Sequence, residues 1–93
     1  MKTFVVLRRG AWEDESELEE DAAELARIAD EEMHDQVKLI RSYVIEEEDG
    51  TFGTVCIYQA EDADALMEHA QHAELPADEV VPVVNTVIER DDP

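Results

Sequence analysis

The chain is predicted to fold as an α+β domain: a four-stranded antiparallel sheet with two helices on one face, in the order β-α-β-β-α-β. Three observations predict it. Strand-like runs alternate with two stretches of helical periodicity. An acidic turn containing Asp49-Gly50 joins the two middle strands, and Asp-Gly between apolar runs is a strong hairpin signal. The length of 93 residues suffices for one domain.

Residues 2–9 read as the first strand, with β-branched and aromatic side chains and no breaker before Gly10. Its two faces, Phe4/Val6 and Val5/Leu7, are both apolar. Residues 13–33 read as a helix, because Leu18, Ala22, Leu25, Ala26, Ala29 and Met33 recur at steps of three and four. Asp14 or Ser16 can cap its start, where the helix dipole also favours the surrounding carboxylates. Residues 37–46 and 51–59 read as the hairpin strands. Asp62 opens a second helix over residues 62–74, with Leu66, His69, Ala70 and Ala73 on one face. Pro76 stops it, since proline disfavours a helical residue before it and has no N–H to donate. Residues 79–89 read as the last strand, with valines and Ile88 on both faces. Gly10, Gly50 and Gly53 read as turn or hairpin residues.

This order is the split βαβ pattern of ferredoxin-like folds. Helices cover one face of such a sheet, and the other should be polar if it meets water. Here the first and last strands are apolar on both sides, so a second copy of the chain is expected to cover the open face. In the third strand the aliphatic pair Val55 and Ile57 is expected to face the helices. That expectation puts Cys56 and Tyr58 on the open, dimer-facing side.

Composition limits the partners. With 26 acidic and 7 basic residues the formal net charge is −19, and the Lys/Arg clusters that bind nucleic acid or anionic membranes are missing. A solvated, salt-adapted surface is the reading favoured over a docking face for a basic partner. Stability is then expected to rise with ionic strength, as the Debye length shrinks from roughly 30 Å at 0.01 M to about 3 Å at 1 M. A higher melting temperature in molar KCl than in dilute buffer checks this. Cys56 is the single cysteine, which fits a reducing compartment, and the apolar run near Met1 is too short for a signal-peptide core. A cytoplasmic address is expected.

Few residues carry chemistry. A thiol and a phenol two positions apart, Cys56 and Tyr58, could line a metal or ligand pocket, or pack as a buried cysteine and an interfacial tyrosine. Tyr43, beside Arg41, poses the same choice. His69 lies on the apolar helix face, as a core histidine or as a ligand; His72 follows three residues later, and His34 sits next to Asp35. No nucleophile elbow, phosphate-cradling glycine loop or cysteine pair is present.

Ser42-Tyr43-Val44, Cys56-Ile57-Tyr58, Asp62, Glu68-His69-Ala70 and Leu75-Pro76-Ala77-Asp78, in this order and spacing, resemble a family of small bacterial nickel-binding or nickel-responsive proteins with a ferredoxin-like fold. The resemblance implies a homodimer that binds nickel. His69, Cys56, Tyr58 and Tyr43 match its motifs and stand as the implied metal-site residues. Leu7 stands where similar proteins often place a glutamate before the arginine, and Glu74 where a helix-ending glycine is usual. The hairpin at 46–53 is longer and more acidic than the usual turn. The alternative is a small dimeric enzyme using a sheet–helix or interface cavity for an organic substrate.

Overall fold

The computed structural model describes residues 1–91 and contains the expected elements: β1 (Lys2–Trp12), α1 (Glu15–Glu31), β2 (Val37–Glu46), β3 (Phe52–Ala60), α2 (Ala63–Ala73) and β4 (Glu79–Pro82). The strands form one antiparallel sheet in the order β2-β3-β1-β4, consistent with a ferredoxin-like α+β fold. Asp14 is the cap of α1, its side chain accepting from the Glu17 N–H, and Asp62 caps α2 through the Ala65 N–H. Each carboxylate satisfies an N–H that the first helical turn leaves without an intrahelical acceptor.

The core lies between the helices and one sheet face. Phe4 and Val6 of β1, Cys56, Tyr58 and Ala60 of β3, and Val37 of β2 pack with Ile28, Ala29, Ala65 and Leu66 of the helices. The facing of β3 is therefore the reverse of the sequence expectation. Cys56 and Tyr58 are 1% and 0% exposed on the helix side, while Val55 and Ile57 are half-buried on the open side. A dimer cannot join through the face that carries Cys56 and Tyr58, because the helices occupy it. The aliphatic rule failed because β3 is apolar on both faces. Cross-strand pairing put Tyr58 opposite Phe4 and Cys56 opposite Val6, and polar groups buried alongside them gave the thiol its partners.

β1 runs past Gly10 to Trp12 through a bulge, with Arg8 opposite Thr54 and Trp12 opposite Phe52, so three residues face Gly53 alone. Gly10 takes φ +57° there. The bulge is tied down from two sides. The Glu47 carboxylate accepts from Arg9 Nε and Nη2, both at 2.9 Å, and from the Gly10 N–H at 3.0 Å, while the Asp78 carboxylate accepts from the Arg9 N–H at 2.6 Å. The Asp78 N–H donates to the Leu7 carbonyl at 2.9 Å. The long acidic hairpin and the Leu75-Pro76-Ala77-Asp78 run thus both serve as anchors for the end of β1. Gly53 is not a turn residue but a point of close approach: a Cβ there would lie 2.3 Å from the Arg8 carbonyl oxygen.

β4 is shorter than residues 79–89. The last paired position is Pro82 opposite Phe4, and proline has no N–H to give the ladder. The Val83 N–H donates to the Thr3 carbonyl at 2.9 Å, and regular pairing ends. Residues 83–91 instead lie beside the open sheet face. All of them but Val84 line a groove of about 800 Å³ with Val5, Ile57, Ile40 and Tyr43. α2 ends as a Schellman turn, the Leu75 and Glu74 N–H groups reaching Ala70 and Gln71 carbonyls. Glu74 holds φ 56° there, a left-handed conformation that glycine adopts without penalty.

Candidate metal centre

The buried sheet face carries a polar cluster at its centre. Arg8 from β1, Thr54, Cys56 and Tyr58 from β3, and His69 from α2 are each at most 2% exposed. The strands alternate sides, so Thr54, Cys56 and Tyr58 must share a face, and the Arg8–Thr54 pairing sets Arg8 beside them. Leu66, His69 and Ala70 occupy one stripe of α2, which lays the imidazole over Tyr58. The two rings meet edge to face, centroids 5.4 Å apart at 70°.

His69 is oriented by one bond. Its Nε2–H donates to the Leu25 carbonyl of α1 at 2.9 Å, which leaves Nδ1 as a lone-pair acceptor, buried and with no partner. Burial lowers the imidazole pKa, and the charges of Arg8 and His72 push the same way, although the Leu25 bond opposes them. The ring is therefore neutral at neutral pH. Tyr58 is also buried with its hydroxyl lacking a well-formed hydrogen bond. Burial pushes its phenol up to about 12, against a downward pull from the Arg8 charge. Cys56 Sγ accepts from Ser42 Oγ at 3.1 Å and from Arg8 Nη1 at 3.6 Å.

A depressed histidine pKa has a defined consequence for stability. The unfolded chain binds a proton to His69 near pH 6.5, while the native chain resists it to lower pH. Stability from this group is complete above about pH 6.5 and declines as pH falls through the native pKa. Denaturant melts at pH 7.5 and 5.5 should show the loss in wild type and a smaller one in His69→Gln. Equal losses would mean that other groups govern the acid limb.

Of the four residues singled out in the sequence, the fold brings three together. Tyr43 is on the opposite sheet face. A bulge between Leu39 and Arg41 shifts the alternation of β2, so Tyr43 pairs with Val55 and Ser42 with Cys56. Tyr43 is 41% exposed and its hydroxyl accepts from Arg41 Nη1 at 3.3 Å. His72 turns toward α1, with Nδ1 3.5 Å from Glu32, and His34 lies in the exposed layer 3.1 Å from Asp35. Leu7 faces the open side, so a glutamate at that position could not reach the His69 cluster from this face. Arg8 and Thr54 were missed by sequence reading. The alternation of Phe4, Val6 and Arg8 was the available signal, but a charged residue at the end of an apolar run reads as a strand terminus.

The family model for the nickel responsive protein SCO4226-like proteins matches residues 4–83, from β1 to just past β4, and the chain belongs to that family. No curated protein and no solved structure shows significant similarity to it. Among the described residues no helix is long and apolar enough to cross a membrane.

The cluster offers donor atoms of the types that transition-metal ions take, beside the fixed positive charge of Arg8. An imidazole nitrogen, a sulfur and a phenol oxygen share one buried face, and Nδ1 and the Tyr58 hydroxyl lack partners. Nitrogen and sulfur donors suit nickel, copper or zinc rather than magnesium or calcium. The Nε2–H bond to a backbone carbonyl is the usual support for a ligating histidine. Among the described residues no three His, Cys, Asp or Glu side chains gather into a metal-sized group.

Proposed function

We propose that this protein is a small homodimeric nickel-binding protein of the nickel response, with His69 Nδ1, Cys56 Sγ and Tyr58 Oη as its own donors to the ion. The observation that carries the reading is His69: a neutral, fully buried imidazole, fixed by Leu25, whose second nitrogen has no partner. A core histidine kept only for packing would leave a polar atom buried at a cost of about 1–3 kcal/mol. Family membership supports nickel as the ion. A bound ion would supply Lewis acidity and charge, and the protein would supply orientation and exclusion of water.

The dimer in this reading forms through the open sheet face, with Tyr43 at the interface rather than at the metal. Val5, Leu7, Val55 and Ile57 are half-buried there. Ile40, Tyr43, Val84, Val87 and Ile88 are large hydrophobic residues left 41–97% exposed in a chain of net charge −19. Stable interfaces bury on the order of 1,200–2,000 Å² in total.

The test is calorimetric titration of untagged protein with nickel and, separately, with magnesium, in high salt. One saturable nickel site per protomer and negligible magnesium binding are expected. Equal, weak binding of both metals would mean that surface carboxylates are acting as a cation sponge. Light scattering on the same samples should give twice the protomer mass, and a monomer at tens of micromolar would remove the dimer.

A further inference from the structure

The Asp49-Gly50 pair at the tip of the β2–β3 hairpin is exposed, and Gly50, at φ +87°, has open space where a side chain would stand. An aspartate followed by an uncrowded glycine nitrogen can isomerise without an enzyme. The Gly50 nitrogen attacks Asp49 Cγ, an N–C bond forms, and a carboxyl oxygen leaves as water with the acid proton and the amide proton. The five-membered imide then adds water. Opening at the Asp49 backbone carbonyl leaves the chain running through the side chain, as isoaspartate, and no oxidant or reductant takes part. Three hydrogen bonds oppose this step. Asp49 Oδ1 accepts from Thr51 Oγ at 2.6 Å and from the Thr51 N–H at 3.0 Å, and the Gly50 N–H donates to the Glu47 carbonyl at 3.1 Å.

These bonds act on two requirements of the reaction. Loss of water needs a neutral carboxyl, and the Thr51 bonds, the hydroxyl's first, hold the Asp49 carboxyl below its usual range and therefore ionised. Attack also needs the Gly50 nitrogen turned toward Cγ, whereas its N–H is tied into the turn by the Glu47 carbonyl. We propose that Asp49-Gly50 is a latent isoaspartate site and that the Thr51 hydroxyl keeps it closed. The consequence reaches past the turn. The Glu47 N–H donates to the Thr51 carbonyl at 2.8 Å, closing the loop that contains Asp49 and Gly50. Isoaspartate lengthens that loop by one backbone atom, and Glu47 is the carboxylate that grips Arg9 and Gly10 on β1. Isomerisation at the hairpin tip therefore loosens the hold on the β1 bulge. No donor of the proposed metal centre takes part.

The test compares four samples: wild type, Thr51→Val, which removes the hydroxyl and keeps the shape, Thr51→Ser, which keeps the hydroxyl, and a free peptide of residues 46–54. All are held for weeks at neutral pH, at a temperature where melts show the three proteins folded. Isoaspartate at position 49 is quantified by mass spectrometry with electron-transfer fragmentation. T51V is expected to isomerise roughly three- to tenfold faster than wild type, the rate equivalent of one exposed hydrogen bond. T51S should stay with wild type, and the peptide should be the fastest of the four. Wild type that isomerises at the peptide's rate overturns the proposal, because the fold then gives no protection. So does T51V at the wild-type rate, or T51S as fast as T51V, because the hydroxyl is then not the controlling group. The separated isoaspartate protein should melt below the aspartate form, and an equal melt would overturn the link to the β1 bulge.

Discussion

His69→Ala is expected to abolish specific nickel binding, lowering affinity by more than the ~10–100-fold typical of losing a group that only supports a ligand. In the proposed site the substitution removes the one nitrogen donor, and the sulfur and phenol of β3 cannot replace it. Packing makes a second contribution. His69 is fully buried against Tyr58, and its Nε2–H satisfies the Leu25 carbonyl across the helix pair. Truncation opens a cavity and removes that interhelical bond, so the metal-free variant should lose on the order of 2–4 kcal/mol. The two effects separate by experiment: denaturant melts without metal report packing, and calorimetry on the folded fraction reports ligation. His69→Gln, which keeps a polar end and more volume, should recover part of the stability and none of the affinity. A His69→Ala protein that binds nickel as tightly as wild type would place the ion elsewhere.

Gly53→Ala is expected to destabilise the fold by about 3 kcal/mol or more, at the upper end of overpacking effects. An added Cβ would meet the Arg8 carbonyl oxygen at 2.3 Å and the Arg9 Cα at 3.3 Å, and both belong to backbone rather than to a side chain that could swing away. Relief requires moving the β1 bulge, which the Glu47 and Asp78 carboxylates hold. For a domain of this size, 3 kcal/mol corresponds to a fall in melting temperature of roughly 12–24 °C. Gly10→Ala makes the useful comparison. That residue has φ +57° and its nearest new contact would be the Thr51 hydroxyl at 3.2 Å, so the cost is about 1 kcal/mol, mainly conformational. The expected order is Gly53→Ala worse than Gly10→Ala. The reverse order, by thermal or denaturant melts, would mean that the bulge yields more easily than its hydrogen bonds imply.

These two residues mark the limits of what the chain reveals before it folds. Element order was legible because hydrophobic period and turn chemistry are local properties. The 3.6-residue stripe of α1, the caps Asp14 and Asp62, the stop near Pro76 and the Asp49-Gly50 hairpin all depend on neighbours within a few positions. His69 could be placed on the buried face of α2 for the same reason, and the motifs around it were sufficient to indicate the family. The length of β1 and β4 was less accessible. A strand continues only while its pairing does, and β4 leaves regular pairing after Pro82, opposite Phe4, which the apolar run of residues 83–89 does not record.

The face of the sheet was decided by tertiary structure alone. β3 alternates Thr54, Cys56 and Tyr58 with Val55 and Ile57, and a one-residue periodicity cannot say which set turns inward when both are apolar enough to be buried. Pairing with Phe4 and Val6 chose Cys56 and Tyr58, and the bulge in β2 then carried Tyr43 to the other side. Arg8 followed into the interior, a position that charge argues against in the sequence and that only nearby sulfur and oxygen make reasonable. The sequence by itself determined the elements, the acidic surface and a histidine on a buried helix face, because each depends on composition or local spacing. Which side chains meet that histidine was decided only by tertiary structure, because strand register and bulges arise from the whole sheet.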